Sequence, residues 1–359
     1  MKILFCDFLF QRGNRHVDSC MIDIMAQNND VYLLMNDDFL QSEVVKNVQN
    51  IKVLGNNLYQ NPHKLISYRI QIFKRMVLAA KVAKSIKPDL IYISTYRTSV
   101  FPFGLLFFGR HSKIVVVENN NIDELKHWIH RILYKSFANK VHHLVYESFF
   151  KDYLVSKIGI KEQVVHVVPH FQYKEEKQLE HNRTSIKSFD CIAISWSNDE
   201  SLVRELVKIE EEEHLLERNN INLKIKCRGY SYSSDVITID GEFIPKNEYD
   251  ALYSNCKLVL VPFPLSYKYR MSGCIVDAFS NHKVVVSTEL ELSKFYESKY
   301  GPIIITCRNA KDILSTIVDI VVNHKYAPDS SFFVRFENDH GIYEIKTKLN
   351  EMIKVITKN

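Results

Sequence analysis

The 359-residue chain has seven cysteines, at Cys6, Cys20, Cys191, Cys227, Cys256, Cys274 and Cys307, but they lie far apart and form no CxxC pair. That scatter excludes a zinc ribbon and a disulfide scaffold, and a reducing cytoplasm is the expected setting. The apolar run at residues 100–108 is too short to cross a bilayer. The opening MKILFCDFLF lacks the basic segment and small-residue cleavage site of an export signal. Asn182-Arg183-Thr184 matches a glycosylation sequon, which without such a signal reads as polar linker. There is no short-period repeat and no low-complexity tract. His142-His143 sits in a strand-like run without a third ligand in view, so it reads as a core pair, and no metal is expected.

What is present fits a two-domain globular protein. The length exceeds what one core usually serves, and 46% apolar residues with 12% aromatics fill two. Charge is uneven. Residues 1–172 hold 22 Lys and Arg against 14 Asp and Glu, a balance of +8 in a chain of +5, so the remainder is −3. Much of the excess lies in Arg69, Lys74, Arg75, Lys81, Lys84 and Lys87, which alternate with apolar residues in a helix-like segment. This is either a solvated face on a core helix or a surface drawn to an anionic membrane. No interleaving of basic and aromatic residues points to nucleic acid.

Along the chain, short apolar runs alternate with helical spacing. Strands are expected at residues 1–5, 31–35, 90–94, 113–117, 141–145 and 164–168, with helices at 18–27, 67–86, 123–137 and 148–158. Residues 171–188 break the rhythm with crowded charges. A second series then begins, with strands at 191–195, 223–227, 236–239, 258–261, 284–287 and 303–306 and helices at 200–218, 246–254, 272–279 and 310–322. The expected division is therefore 1–172, a linker at 173–188, a second domain at 189–330, and a helical segment at 331–359 that packs back on the first domain. Each domain is expected to be α/β, a parallel sheet with helices on both faces and ligands beyond the carboxyl ends of its strands.

Several stretches resemble, in matching order, the GT-B fold nucleotide-sugar glycosyltransferases of the family-4 type. They are Lys87-Pro88-Asp89-Leu90-Ile91-Tyr92, the helix-strand-helix stretch 134–168, Asp240-Gly241-Glu242-Phe243-Ile244-Pro245 with Tyr249 and Leu252-Tyr253 after it, and YKYRMSGCIVDAFSNHKVVVST at 267–288. The resemblance covers nearly the whole chain. It implies two doubly wound Rossmann-like domains with a cleft between them, and a nucleotide-sugar donor held by the second. Backbone at Phe243 and Ile244 would hold the base. Asp277 stands at the place of the second of the family's paired glutamates, where it would accept from the ribose hydroxyls. At the place of the first stands Tyr269, a departure that leaves the grip on the donor sugar and a retaining outcome open. A second departure is Ile194-Ser195-Trp196-Ser197-Asn198-Asp199, which shows neither the Gly-Arg nor the following lysine of the family. Arg228, in KCRGY, either supplies that charge or pairs at the surface.

The residues themselves also argue for an anion seat at the start of the 272–279 helix. Unpaired N–H groups lie on its first turn, and Gly273 removes the Cβ that would keep a diphosphate away. Arg270 adds a bidentate guanidinium and Lys268 a point charge, which together stabilise a diphosphate leaving group. Ser272 and Gly273 equally suit an ordinary N-cap and a packing glycine. Position after the buried 258–261 strand favours the ligand. In the first domain, Gly13 and Asn14 in the loop QRGNRH are candidates for a second contact with the donor phosphates. His16, Asp18, Glu118 and Asp123 are unranked candidates for the base toward an acceptor hydroxyl, and each equally suits a helix cap or core role.

The expected function is a glycosyltransferase using a nucleotide diphosphate sugar, with UDP-sugar as the default implied by the resemblance, and no further cofactor. A growing or lipid-linked glycan of a bacterial surface polysaccharide, such as capsule or O-antigen, is the expected acceptor, met at the inner face of the membrane. A nucleotide-sugar epimerase of the same fold and an inactive donor-binding assembly subunit are the alternatives. A two-lobed periplasmic-type binding protein is disfavoured by the missing export signal.

Overall fold

The computed structural model describes residues 1–9, 15–35, 51–53, 65–171, 188–326 and 328–358. Two compact units result, one of Met1–Phe171 with Ile342–Asn359 and one of Gln172–Gly341.

Unit 1 is built on seven strands: β1 Lys2–Asp7, β2 Asp30–Leu34, β3 Ile51–Val53, β4 Leu90–Thr95, β5 Ile114–Val117, β6 His142–Val145 and β7 Val165–Val167. Their order is β3-β2-β1-β4-β5-β6-β7, and every pairing is parallel. Parallel neighbours need crossovers, and the helices in those crossovers cover the apolar side chains on both faces of the sheet. The strand sequences agree. ILFC of β1 and LIYIST of β4 are buried throughout, in the register Ile3↔Leu90 and Leu4↔Ile91. The Ile342–Lys358 helix belongs to this unit, and Lys113 Nζ donates to the Thr357 carbonyl near its end (2.7 Å).

Unit 2 repeats the plan with β8 Cys191–Ala193, β9 Leu223–Lys226, β10 Tyr232–Ser233, β11 Ile237–Asp240, β12 Leu258–Val261, β13 Val284–Thr288 and β14 Ile304–Cys307. The order is β10-β11-β9-β8-β12-β13-β14, parallel except for the short β10, which forms a hairpin with β11. The chain runs outward from β8 to one side through β9, then returns to the other side at β12. That reversal opens a crevice between β8 and β12 at their carboxyl ends.

Two helices depart from the sequence spacing for visible reasons. Glu200–Glu213 stops short of residue 218 because Glu210 turns back, its carboxylate accepting from the N–H groups of Leu216 (2.8 Å) and Glu217 (2.9 Å), while His214 takes a left-handed backbone (φ 52°). The expected 123–137 helix is two, Asn121–Glu124 and Trp128–Ala138. The short Phe101–Leu105 helix and the Glu291–Tyr300 helix were not foreseen.

Candidate functional site

The Gly273–Ser280 helix starts at the β8/β12 crevice. Ser272 is its N-cap, and its Oγ accepts from the Ile275 N–H (3.4 Å). The first intrahelical bond runs from Val276 N–H to the Ser272 carbonyl (3.3 Å), so the N–H groups of Gly273 and Cys274 precede it. Gly273 is exposed, and its φ lies outside the left-handed range. A Cβ built on it meets no atom within 4 Å. Among the described residues, neither backbone strain nor packing accounts for glycine here, which speaks against a packing role.

The far side of this helix is anchored. Phe279 packs edge-on against Phe336 (4.9 Å between centroids) of the Ser330–His340 helix, and His282 stacks on Phe333 (5.1 Å) and reaches Glu337 (2.7 Å). One turn into the helix lies Asp277. It is half-buried and accepts a hydrogen bond from the Tyr249 hydroxyl (2.7 Å). Burial pushes its carboxyl up to about 6, and the Tyr249 bond opposes that shift. Tyr253, on the same Lys246–Asn255 helix as Tyr249, donates to the Cys274 carbonyl (3.2 Å), so two phenols clamp the seat helix from one side.

A second cluster faces the crevice from β8, β9 and β11. The turn 194–199 is pinned at three points. Asn198 Nδ2 donates to the Ala193 (2.6 Å) and Lys226 (3.0 Å) carbonyls, and Asp199 N–H donates to the Pro262 carbonyl (2.8 Å). Trp196 is thereby held beside two cations, with Lys226 Nζ 3.9 Å and the Arg228 guanidinium carbon 4.6 Å from its ring centroid. Phe243 lies 5.8 Å from the Lys226 ammonium and is 72% exposed. Gly241 lets its loop close onto β9, because a Cβ there would come within 2.9 Å of the Cys227 carbonyl. Lys226 is buried, and the Asp240 carboxylate acts on its charge. Desolvation lowers its pKa from the ordinary lysine value. Cys274 lies close enough to act on the charge of Lys226, and Ser195 bonds the same thiol, which joins this cluster to the seat helix.

The loop between β12 and the seat helix carries the remaining cations. The Arg270 guanidinium lies 3.8 Å from the Tyr267 ring centroid, Lys268 is exposed, and Tyr269 is half-buried. The structure thus gathers Arg228, Phe243, Ile244, Ser272, Gly273 and Asp277 at one edge of unit 2 and adds Trp196, Lys226 and Tyr249. The local sequence carried no signal for the Trp196 and Lys226 pairing, since those residues meet only through the sheet.

In unit 1, Gly13 and Asn14 lie outside the described residues. His16 is exposed on the Arg15–Ala26 helix, whereas Asp18 is buried. Burial, and next the neighbouring Asp7 carboxylate, push the Asp18 carboxyl well above the usual range. Asp7 closes β1 and accepts from the Thr95 hydroxyl and the Leu9 N–H. Glu118 is enclosed in the core. Its Oε1 takes the hydroxyls of Tyr96 (2.8 Å) and Tyr134 (2.9 Å) and lies 2.7 Å from His143 Nδ1. His143 Nε2 donates to the Ala138 carbonyl (2.8 Å), and its Nδ1 also lies 3.0 Å from the Tyr134 hydroxyl. Asp123 is also buried.

Among solved structures, HepE of Anabaena in complex with UDP-glucose is similar at a TM-score of 0.66 and 12% identity, over 99% of each chain. A UDP-N-acetylglucosamine 2-epimerase of Rickettsia bellii is similar at 0.66 and 12%, over 100% of this chain and 97% of its own. A glycosyltransferase of Rickettsia africae gives 0.60 and 11%, over 100% and 98%. The fold is GT-B. No protein-family model and no curated protein matches the chain. At these identities the likeness establishes the GT-B architecture of two Rossmann-like sheets, and the assignment to the family-4 type remains a resemblance of motifs.

Proposed function

We propose that the chain is a glycosyltransferase that binds a UDP-sugar at the carboxyl edge of the unit 2 sheet and transfers the sugar to an acceptor hydroxyl. The observation that carries this reading is the open start of the Gly273–Ser280 helix, where N–H groups precede the first intrahelical bond and a Cβ on Gly273 would meet no atom of the described residues within 4 Å. The diphosphate sits on those N–H groups, where the helix dipole favours negative charge. Arg270, Lys226 and Arg228 offset the charge that develops as the glycosidic bond breaks. Trp196 and Phe243 offer faces to the uracil, and Asp277, with Tyr249 on one oxygen, accepts from the ribose. In unit 1, Asp18 beside Asp7 is the preferred base candidate, since Glu118 is enclosed in the core with two tyrosine hydroxyls and His143 on its Oε1. A glycan acceptor of surface-polysaccharide assembly fits the basic balance of residues 1–172.

A nucleotide-sugar epimerase is the second reading, supported by the likeness to the Rickettsia bellii enzyme at the same TM-score as HepE. It would rearrange the donor without any acceptor, so product analysis over a panel of UDP-sugars, with and without glycan acceptors, separates the two. Arg270→Ala is expected to lower kcat/KM about 100-fold, as loss of a charge-assisted contact to the leaving group. Wild-type turnover by that variant sinks the phosphate seat.

A further inference from the structure

We propose that one helical face of unit 1 docks on an anionic lipid bilayer. The sheet order carries β3→β4, β4→β5 and β5→β6 in one direction, so right-handed crossovers put the helices Leu65–Ile86, Phe101–Leu105 and Trp128–Ala138 on the same face. They are neighbours: Phe101 packs on Phe137 (4.7 Å), Phe73 on Phe107 (5.6 Å), and Gly104 leaves the room that the Met76 side chain fills. Outward from this layer stand large apolar side chains that no described element of unit 1 covers. Leu106 is 80% exposed, Trp128 71%, Ile132 60% and Phe103 54%, and Ile70 and Ile129 are also exposed.

The charge around these side chains is of one sign. Residues 69–140 hold 13 Lys and Arg against four acids. Glu118 and Asp123 are buried, and Glu124 is met by Arg97 (3.5 Å) and His130 (3.1 Å). Asp89, at the start of β4, accepts from the Lys2 N–H (2.7 Å). The exposed cations Arg69, Lys74, Arg131 and Lys135 interleave with Ile70, Ile129 and Ile132. Arg69 and Trp128 also line a depression of about 520 Å³ that contains Ser99, whose Oγ has no hydrogen-bond partner among the described residues. Exposed aromatic and aliphatic side chains inside a cationic ring are the composition of an interfacial anchor, with apolar tips in the acyl boundary and cations at the headgroups. A second copy of the chain is the poorer occupant, because a two-fold interface sets these cations against themselves. The proposal is independent of the donor reading, since vesicle binding and UDP-sugar binding are separate measurements.

The test is sedimentation of the full chain with vesicles of phosphatidylcholine, alone or with about a third phosphatidylglycerol. The wild type is expected to partition onto the anionic vesicles only and to be released by high salt. Arg69→Gln/Lys74→Gln/Lys135→Gln should lower the partition on the order of 100-fold, at about fivefold per cation. Trp128→Ser/Ile132→Ser should lower it as well, with UDP-glucose binding retained as evidence of folding. Should the variants misfold, Trp196→Phe leaves Trp128 as the sole tryptophan, and its emission should shift to the blue on anionic vesicles. No partition, equal partition onto neutral vesicles, or unchanged Trp128 emission overturns the proposal. Self-association abolished by Trp128→Ser/Ile132→Ser, without vesicle binding, assigns the face to a second copy and overturns it too.

Discussion

Replacing Asp277 by asparagine separates what the carboxylate costs the fold from what it gives the ligand. Burial raises this carboxyl from 3.8 to about 6. A shift of about two units corresponds to roughly 3 kcal/mol. Because the folded value is the higher one, the folded state binds the proton more tightly. The stabilisation by this group is complete below the unfolded value and is lost as pH rises through about 6. Asparagine cannot ionise. Asp277→Asn should therefore match the wild type in stability near pH about 4 and exceed it by up to roughly 3 kcal/mol above pH about 7, or about 6–12 °C in apparent Tm. Ligand affinity should move the opposite way. Loss of an ionised acceptor for a ribose hydroxyl costs about 1.5–3 kcal/mol, or 10- to 100-fold in Kd. In the wild type the affinity should fall as pH drops through about 6, with a flat profile in the variant. UDP-glucose is the ligand to titrate, since a terminal phosphate itself ionises near pH about 6. The paired measurements are thermal melting and calorimetric titration across that range. An Asp277→Asn protein that is no more stable than wild type at neutral pH, or that binds UDP-glucose as tightly, refutes the reasoning.

Gly273→Ala should leave the free protein as stable or about 0.5 kcal/mol more so, because alanine is the better helix former and its methyl meets no atom within 4 Å. The same variant should bind UDP-glucose at least about tenfold more weakly by calorimetry, since the methyl stands between the phosphate and the first N–H groups. Glu118→Ala should cost at least about 3 kcal/mol in denaturant unfolding, as two tyrosine hydroxyls and a histidine nitrogen lose a buried acceptor. A Glu118→Ala protein of wild-type stability without turnover would return this residue to catalysis.

The architecture was legible because its strands are short apolar runs between turn residues. LVLV at β12 and VVVST at β13 are buried on both faces and read as strands without reference to anything distant. The misses have local physical causes. The 200–213 helix ends where a side chain, Glu210, takes the place of backbone acceptors, and spacing alone carries no sign of such a turn. FPFGL at 101–105 reads as an apolar run because it is only five residues long, and its Pro and Gly mask the helical period.

The site divides along the same line. The Ser272-Gly273 start is a local signal, since an N-cap and a glycine at adjacent positions can be read in one stretch. Trp196 and Lys226 are 30 positions apart and come within cation–π distance only because β8 and β9 are neighbours and Asn198 ties both strand ends to one turn. The two departures from the resembling family thus differ in kind. Where the resembling family has Gly-Arg after the first strand, this chain has the 194–199 turn, whose Trp196 ring is flanked by Lys226 and Arg228. The place of the first acid holds Tyr269, and at the seat the Tyr249 phenol donates to Asp277, whose charge also meets Asp250 and Lys246 on the Tyr249 helix. A phenol there holds Asp277 in place but supplies no second negative charge. Under the proposed reading, Tyr269→Glu is expected to change turnover among donor sugars, measured by product analysis, and to leave UDP affinity as in the wild type.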